Sequence, residues 1–169
     1  ANTLLGRNYS FSGTVVGGDK RGRELGYPTA NIKLSSQEKL LPAIGIYAVR
    51  VLLNNEKHIG LLSIGKRPTF YNAGELVTEV YIYNFNREIY DEVVTIELVE
   101  RLRGEEKFNS ANDLINQMNK DKENGLKIFN ELKCTFYNVL LKLFMKSLVQ
   151  DIKITTKIMT DFFDLPEDS

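Results

Sequence analysis

Ile46-Tyr47-Ala48-Val49-Arg50-Val51-Leu52-Leu53-Asn54-Asn55-Glu56-Lys57-His58-Ile59-Gly60-Leu61-Leu62-Ser63-Ile64 is the stretch that decides the fold. Its first limb alternates, with Tyr47, Val49, Val51 and Leu53 on one face, which is the period of a half-buried strand. Asn54-Asn55 supplies a turn, and Ile59 to Ile64 returns as the hairpin partner. Outward from this hairpin the same grammar repeats. Phe11 to Val16 is a short extended run ended by Gly17-Gly18-Asp19. Val77 to Phe85 puts Glu79, Tyr81, Tyr83 and Phe85 on one face and Val80 and Ile82 on the other. Val93 to Leu102 aligns Val94, Ile96, Leu98 and Leu102. Strands at hairpin spacing with no helices between them argue against a parallel α/β sheet. A closed antiparallel barrel or a sandwich fits these strands, with a helix after them.

That helix is announced by Ser110, an N-cap with Asp113 three residues on. Leu114, Ile115 and Met118 open an apolar stripe that Leu126, Phe129 and Leu132 continue, with Asn124-Gly125 as an expected break. Phe136, Val139, Leu140, Leu143 and Phe144 keep a helical spacing with Lys142 and Lys146 among them, a packed amphipathic helix rather than a membrane span. Residues 162–169 read as a frayed acidic terminus. The expected domains are 1–132, barrel with helix, and 133–169, an extension of unknown role, helical in part.

Composition narrows the function classes. Lys plus Arg (22) equals Asp plus Glu (22), so no net field recruits nucleic acid or an anionic membrane. One cysteine, Cys134, excludes an internal disulfide and suits a reducing compartment. One histidine, His58, leaves no His/Cys set for structural zinc. No apolar run reaches the roughly 18 residues of a membrane helix. The chain begins at Ala1, so a piece cut from a longer protein is expected.

The densest chemistry lies in Gly17 to Asn31, GGDKRGRELGYPTAN. Gly17, Gly18, Gly22 and Gly26 sit among Lys20, Arg21 and Arg23, followed by Pro28-Thr29-Ala30-Asn31. Glycines let backbone N–H groups approach anionic oxygens, and the cations add charge. The spacing fits neither a Walker A loop nor a dinucleotide fingerprint. On the residues alone the loop is a phosphate cradle or a mobile hairpin. Thr29 and Asn31, two apart on an extended segment, are hard-oxygen ligands or turn-satisfying side chains. Glu79 in mid-strand either faces a site or faces solvent.

Taken with four further motifs, this stretch resembles the riboflavin kinase family. The Gly-rich flap leading into Pro28-Thr29-Ala30-Asn31 is similar to the family signature. So are Pro42 with Ala43-Ile44-Gly45-Ile46-Tyr47, Ser63 to Phe70 (SIGKRPTF), Glu79 to Phe85 (EVYIYNF), and Leu102 to Phe108 (LRGEEKF). The resemblance covers about residues 5 to 130, in order, and it implies a mainly β fold, a closed antiparallel Greek-key barrel of about six strands with a C-terminal helix packed on it. Two departures stand out: Tyr90 is followed by Asp91 where the family has Gly, and nothing beyond about Lys133 matches.

The resemblance implies ATP-dependent phosphorylation of the riboflavin ribityl 5'-hydroxyl to FMN, with Mg²⁺. It makes Glu79 the base and places Thr29 and Asn31 on the metal and phosphates. The flap, with Gly17, Gly18, Lys20, Gly22, Gly26 and Pro28, would cover the nucleotide. Arg103 would meet the flavin or an ADP phosphate, unless it is only paired on the surface with Glu105 or Glu106. The flavin ring would lie between the barrel and the Phe108–Met118 region. Expected partners are small-molecule substrates, with no nucleic acid and no membrane. The enzyme would be a cytoplasmic monomer, with room for an N-terminal FMN adenylyltransferase domain outside this chain. Two other classes remain in view. A non-catalytic flavin- or nucleotide-binding barrel would not need Glu79, Thr29 and Asn31 together. An oligonucleotide-binding barrel would interleave Lys or Arg with its aromatics, which the Tyr81, Tyr83, Phe85 face does not.

Overall fold

The computed structural model describes residues 6–18, 22, 26–36, 40–67 and 75–163. Among the described residues there are six strands: β1 (Ser10–Val16), β2 (Thr29–Leu34), β3 (Gly45–Leu53), β4 (Glu56–Arg67), β5 (Glu75–Ile82) and β6 (Val93–Arg103). One helix, α1 (Ala111–Phe163), follows them. Neighbours run β1-β2-β5-β4-β3-β6 and β6 returns to β1, so the barrel closes and no sheet edge is left open. All six pairings are antiparallel. The meander β3-β4-β5 with β6 laid beside β3 is the Greek-key order that was expected.

The deciding hairpin forms as read. Leu53 pairs with Glu56 across Asn54 and Asn55, whose φ values of 48° and 66° give the mirror-image turn that matches strand twist. Val49, Val51 and Leu53 point into the core with Phe11, Leu62, Ile64, Val80, Val94 and Ile96. Period-2 alternation therefore translates directly into an inward face.

Three expectations need correction. Val77 to Phe85 is not one strand: β5 stops at Ile82, because Asn84 takes a left-handed φ of 52° and turns the chain out of the ladder. Leu102 does not share the inward face of Leu98, since register shifts in the β3–β6 pairing reset the alternation and leave it half-buried. The Asn124-Gly125 break does not occur, and α1 runs through it. Gly125 is there for space. A Cβ at that position would lie 2.5 Å from Tyr83 Oη and 2.9 Å from Leu61 Cδ2.

The chain divides into two compact units, 1–128 and 129–169. In the first, the opening turns of α1 are capped by Ser110, whose Oγ accepts the Asp113 N–H at 3.1 Å. They lie against the barrel, with Tyr83 Oη donating to the Lys122 carbonyl at 3.0 Å. The second unit carries the rest of the helix. Its Phe136, Leu140, Leu143 and Phe144 are exposed. Residues 164–169 of the expected acidic terminus lie outside the described residues.

Candidate functional site

β2 and β5 set the site. Their antiparallel register puts Thr29 opposite Tyr81 and Asn31 opposite Glu79. Because side chains two apart share a face, Thr29 and Asn31 project to the same side as Glu79. All three line a cavity of about 400 Å³. Thr29 Oγ1 donates to Glu79 Oε2 at 3.1 Å. Away from this polar end the walls turn apolar, with Ile46 and Leu61 from the barrel and Leu114 and Met118 from α1.

The glycine-rich segment meets the polar end. Gly18 runs so close to Asn31 that a Cβ on it would sit 1.9 Å from Asn31 Nδ2, so any larger residue would displace the Asn31 side chain. Gly22 lines the cavity, and its carbonyl accepts the Tyr27 N–H at 2.7 Å. Gly17, Gly18 and Gly26 are not among the lining residues, and Lys20 lies outside the described residues. Pro28 faces a second cavity of about 440 Å³, which it shares with Thr29, Phe85 and Tyr90. Thr29 thus lines both cavities. At the rim of the second, Asp91 adopts φ 63°, and its N–H donates to the Val15 carbonyl at 2.9 Å. An Asp tolerates the left-handed backbone that a glycine would take freely.

Arg103 also lines the first cavity, but neither Glu105 nor Glu106 is its main partner. Its Nη2 donates to Asp121 Oδ2 at 2.7 Å and its Nε to Oδ1 at 3.0 Å, while Glu106 is 4.0 Å away. Hydrogen bonding to Asp121 raises the guanidinium pKa above its ordinary value. Sequence reasoning missed Asp121. The signal was present: Leu114, Met118, Asp121 and Gly125 follow one helical stripe, so the carboxylate is on the inward face. Tyr27 and Tyr81 were missed as well. Their rings meet at 5.2 Å with a tilt of 59°, and Tyr81 and Tyr83 meet edge to face at 5.6 Å. Burial raises the Tyr83 hydroxyl pKa well above its usual value, so it stays a donor.

Fold and site together define a class: a closed barrel with a helix-walled pocket that carries Thr29, Asn31 and Glu79 beside apolar side chains. The Flavokinase family model, described as riboflavin kinase, matches residues 5–129. The chain belongs to the riboflavin kinase family, and those residues are its kinase domain. The bifunctional riboflavin kinase/FMN adenylyltransferase of Listeria monocytogenes is 45% identical over 133 residues, 79% of this chain and 42% of that protein. The chain therefore spans less than half the length of that relative. A solved riboflavin kinase from Trypanosoma brucei superposes with a TM-score of 0.52 at 25% identity, covering 72% of this chain and 79% of that one. A Streptococcus pneumoniae structure named as a macrolide-efflux protein gives a TM-score of 0.67 at 40% identity, over 73% of this chain and 40% of that one.

Proposed function

We propose that the chain transfers the γ-phosphoryl group of ATP to the 5'-hydroxyl of riboflavin, with Glu79 as general base. The carrying observation is the Thr29–Glu79 pair, placed where two cavities share Thr29. In this reading the flavin ring occupies the cavity walled by Leu114 and Met118, with its ribityl chain reaching Glu79. The nucleotide lies toward the glycine-rich segment and the cavity of Pro28, Phe85 and Tyr90. Glu79 accepts the proton of the 5'-hydroxyl as that oxygen bonds to the γ-phosphorus. The bond between the γ-phosphorus and the β,γ-bridging oxygen breaks, and ADP leaves. Catalysis of this kind rests on positioning and charge stabilisation more than on covalent chemistry.

The donor set fits Mg²⁺. Thr29 offers a hydroxyl and Asn31 an amide oxygen beside the Glu79 carboxylate, all hard ligands. Among the described residues no group of three His, Cys, Asp or Glu forms a cage. Mg²⁺ is typically held by one or two protein oxygens together with substrate phosphates, and when bound it neutralises charge on the transferring group. Thr29 and Asn31 would hold it, and Gly18, Lys20, Gly22 and the rest of the flap would cover the phosphates.

Residues 1–132 form the catalytic part in this reading, and 133–169 take no part in chemistry. The relatives' names support a further adenylyltransferase domain in the whole protein. A single exposed thiol, Cys134, supports a cytoplasmic enzyme. Riboflavin-dependent ADP release, followed by a coupled spectrophotometric assay, tests the proposal. A rate that does not change when riboflavin is added would refute it.

A further inference from the structure

Asp121 is the buried charged side chain among the described residues, 4% exposed, and the mechanism above gives it no role. It stands on α1, seven residues after Leu114, so the helix delivers it to the same cavity wall as Leu114 and Met118. Its carboxylate takes the Arg103 Nε and Nη2 donors and a third hydrogen bond from Gln117 Nε2 at 2.9 Å. Arg103 is tied on its other side too. Nη1 donates to the Gly104 carbonyl at 3.0 Å, and the Phe108 ring centroid is 5.8 Å from the guanidinium carbon. The guanidinium is held from both sides and has one orientation.

Stability alone does not account for this pair. Removing two charges from water is costly, and an apolar pair of similar volume is often as stable. What a forked pair does supply is a fixed plane. A guanidinium forked onto a carboxylate has fewer N–H donors left for a phosphate, while its flat face can still stack on an aromatic ring. Arg103 lines the cavity of Leu114 and Met118 and not the one with Pro28 and Tyr90.

Resting on the riboflavin kinase reading, we infer that Asp121 is a positioning residue for the flavin. It holds the Arg103 guanidinium as part of the ring-binding wall beside Leu114 and Met118. The arrangement makes Arg103 a determinant of flavin affinity, with Asp121 acting through it.

The test compares wild type, Asp121→Asn, Arg103→Lys, the double variant and the volume-matched apolar pair Asp121→Leu/Arg103→Met. Steady-state KM values for riboflavin and MgATP would be measured, along with riboflavin Kd by fluorescence titration and the thermal midpoint. Asp121→Asn and Arg103→Lys should each raise riboflavin KM and Kd by about tenfold or more, one factor of ten for each 1.4 kcal/mol. KM for MgATP should stay within about twofold, and the double variant should be no worse than Arg103→Lys, because the two residues act as one unit. The apolar pair should fold, so that it reports on flavin binding even where Asp121→Asn does not. Unchanged riboflavin Kd in folded Arg103→Lys or in the apolar pair would overturn the assignment. So would a rise confined to MgATP. Because the titration needs no turnover, failure of the kinase reading itself would show separately, as riboflavin bound by wild type without FMN formed.

Discussion

Replacing Glu79 by glutamine isolates the proposed base. The position is rigid, since the Glu79 backbone is paired with Asn31 on one side and Ser63 on the other. Glutamine keeps the side-chain shape, and its amide oxygen can still accept the Thr29 hydroxyl that Glu79 Oε2 accepts at 3.1 Å. The hydrogen bond is therefore conserved at a cost of about 1 kcal/mol or less, and folding should hardly change. What disappears is the ability to take a proton. Loss of a general base typically costs roughly 10²- to 10⁴-fold in rate, about 3–5 kcal/mol of barrier. Initial rates of FMN formation, measured by HPLC at saturating riboflavin and MgATP, should fall by that amount. Riboflavin and MgADP affinities should stay within severalfold of wild type. A Glu79→Gln variant with near wild-type kcat would refute the role, and one that loses riboflavin binding and turnover equally would make Glu79 a binding residue instead.

Other outcomes follow from the same geometry. Thr29→Ala and Asn31→Ala should each weaken MgADP binding about tenfold while leaving riboflavin binding nearly unchanged, as loss of one oxygen ligand or hydrogen bond implies. Calorimetric titration checks this, and full activity in excess EDTA would contradict the need for a cation. Truncation after Leu132 should leave kcat and both KM values intact, because Phe136, Leu140 and Phe144 are exposed. Loss of catalysis from a folded truncated chain would bring the extension into the site. Asp91→Gly relieves a φ of 63° and should raise stability by up to about 1 kcal/mol, offset in part by backbone entropy. A lowered thermal midpoint would show that the Asp91 side chain contributes more than its backbone strain costs.

Much of the fold was legible in the sequence, and the failures have physical causes. The β3–β4 hairpin could be read because Tyr47, Val49, Val51 and Leu53 face one core and Asn54-Asn55 suits only a tight turn. β2 showed no such pattern. Its Thr29 and Asn31 point into the cavity, so the function that makes the strand interesting removes the alternation that would reveal it. Gly125 looked like a helix breaker because local propensity does not register Tyr83 and Leu61 packed against it. Thr29, Asn31 and Glu79 were named from separate stretches of the sequence, and they line one cavity. Asp121 escaped because Lys120, Lys122 and Glu123 beside it make the segment look like a solvated helix face. Only the 3.6-residue stripe through Leu114 and Met118 places it inward.

The most direct test of the central claim is product analysis of this chain with riboflavin and excess MgATP. The account predicts FMN and ADP in equal amounts, without FAD or pyrophosphate, because the proposed site directs attack at the γ-phosphorus. FAD in proportion to enzyme would contradict that limit. Tight riboflavin binding with no FMN at all would contradict the account itself and leave a flavin-binding barrel without catalysis.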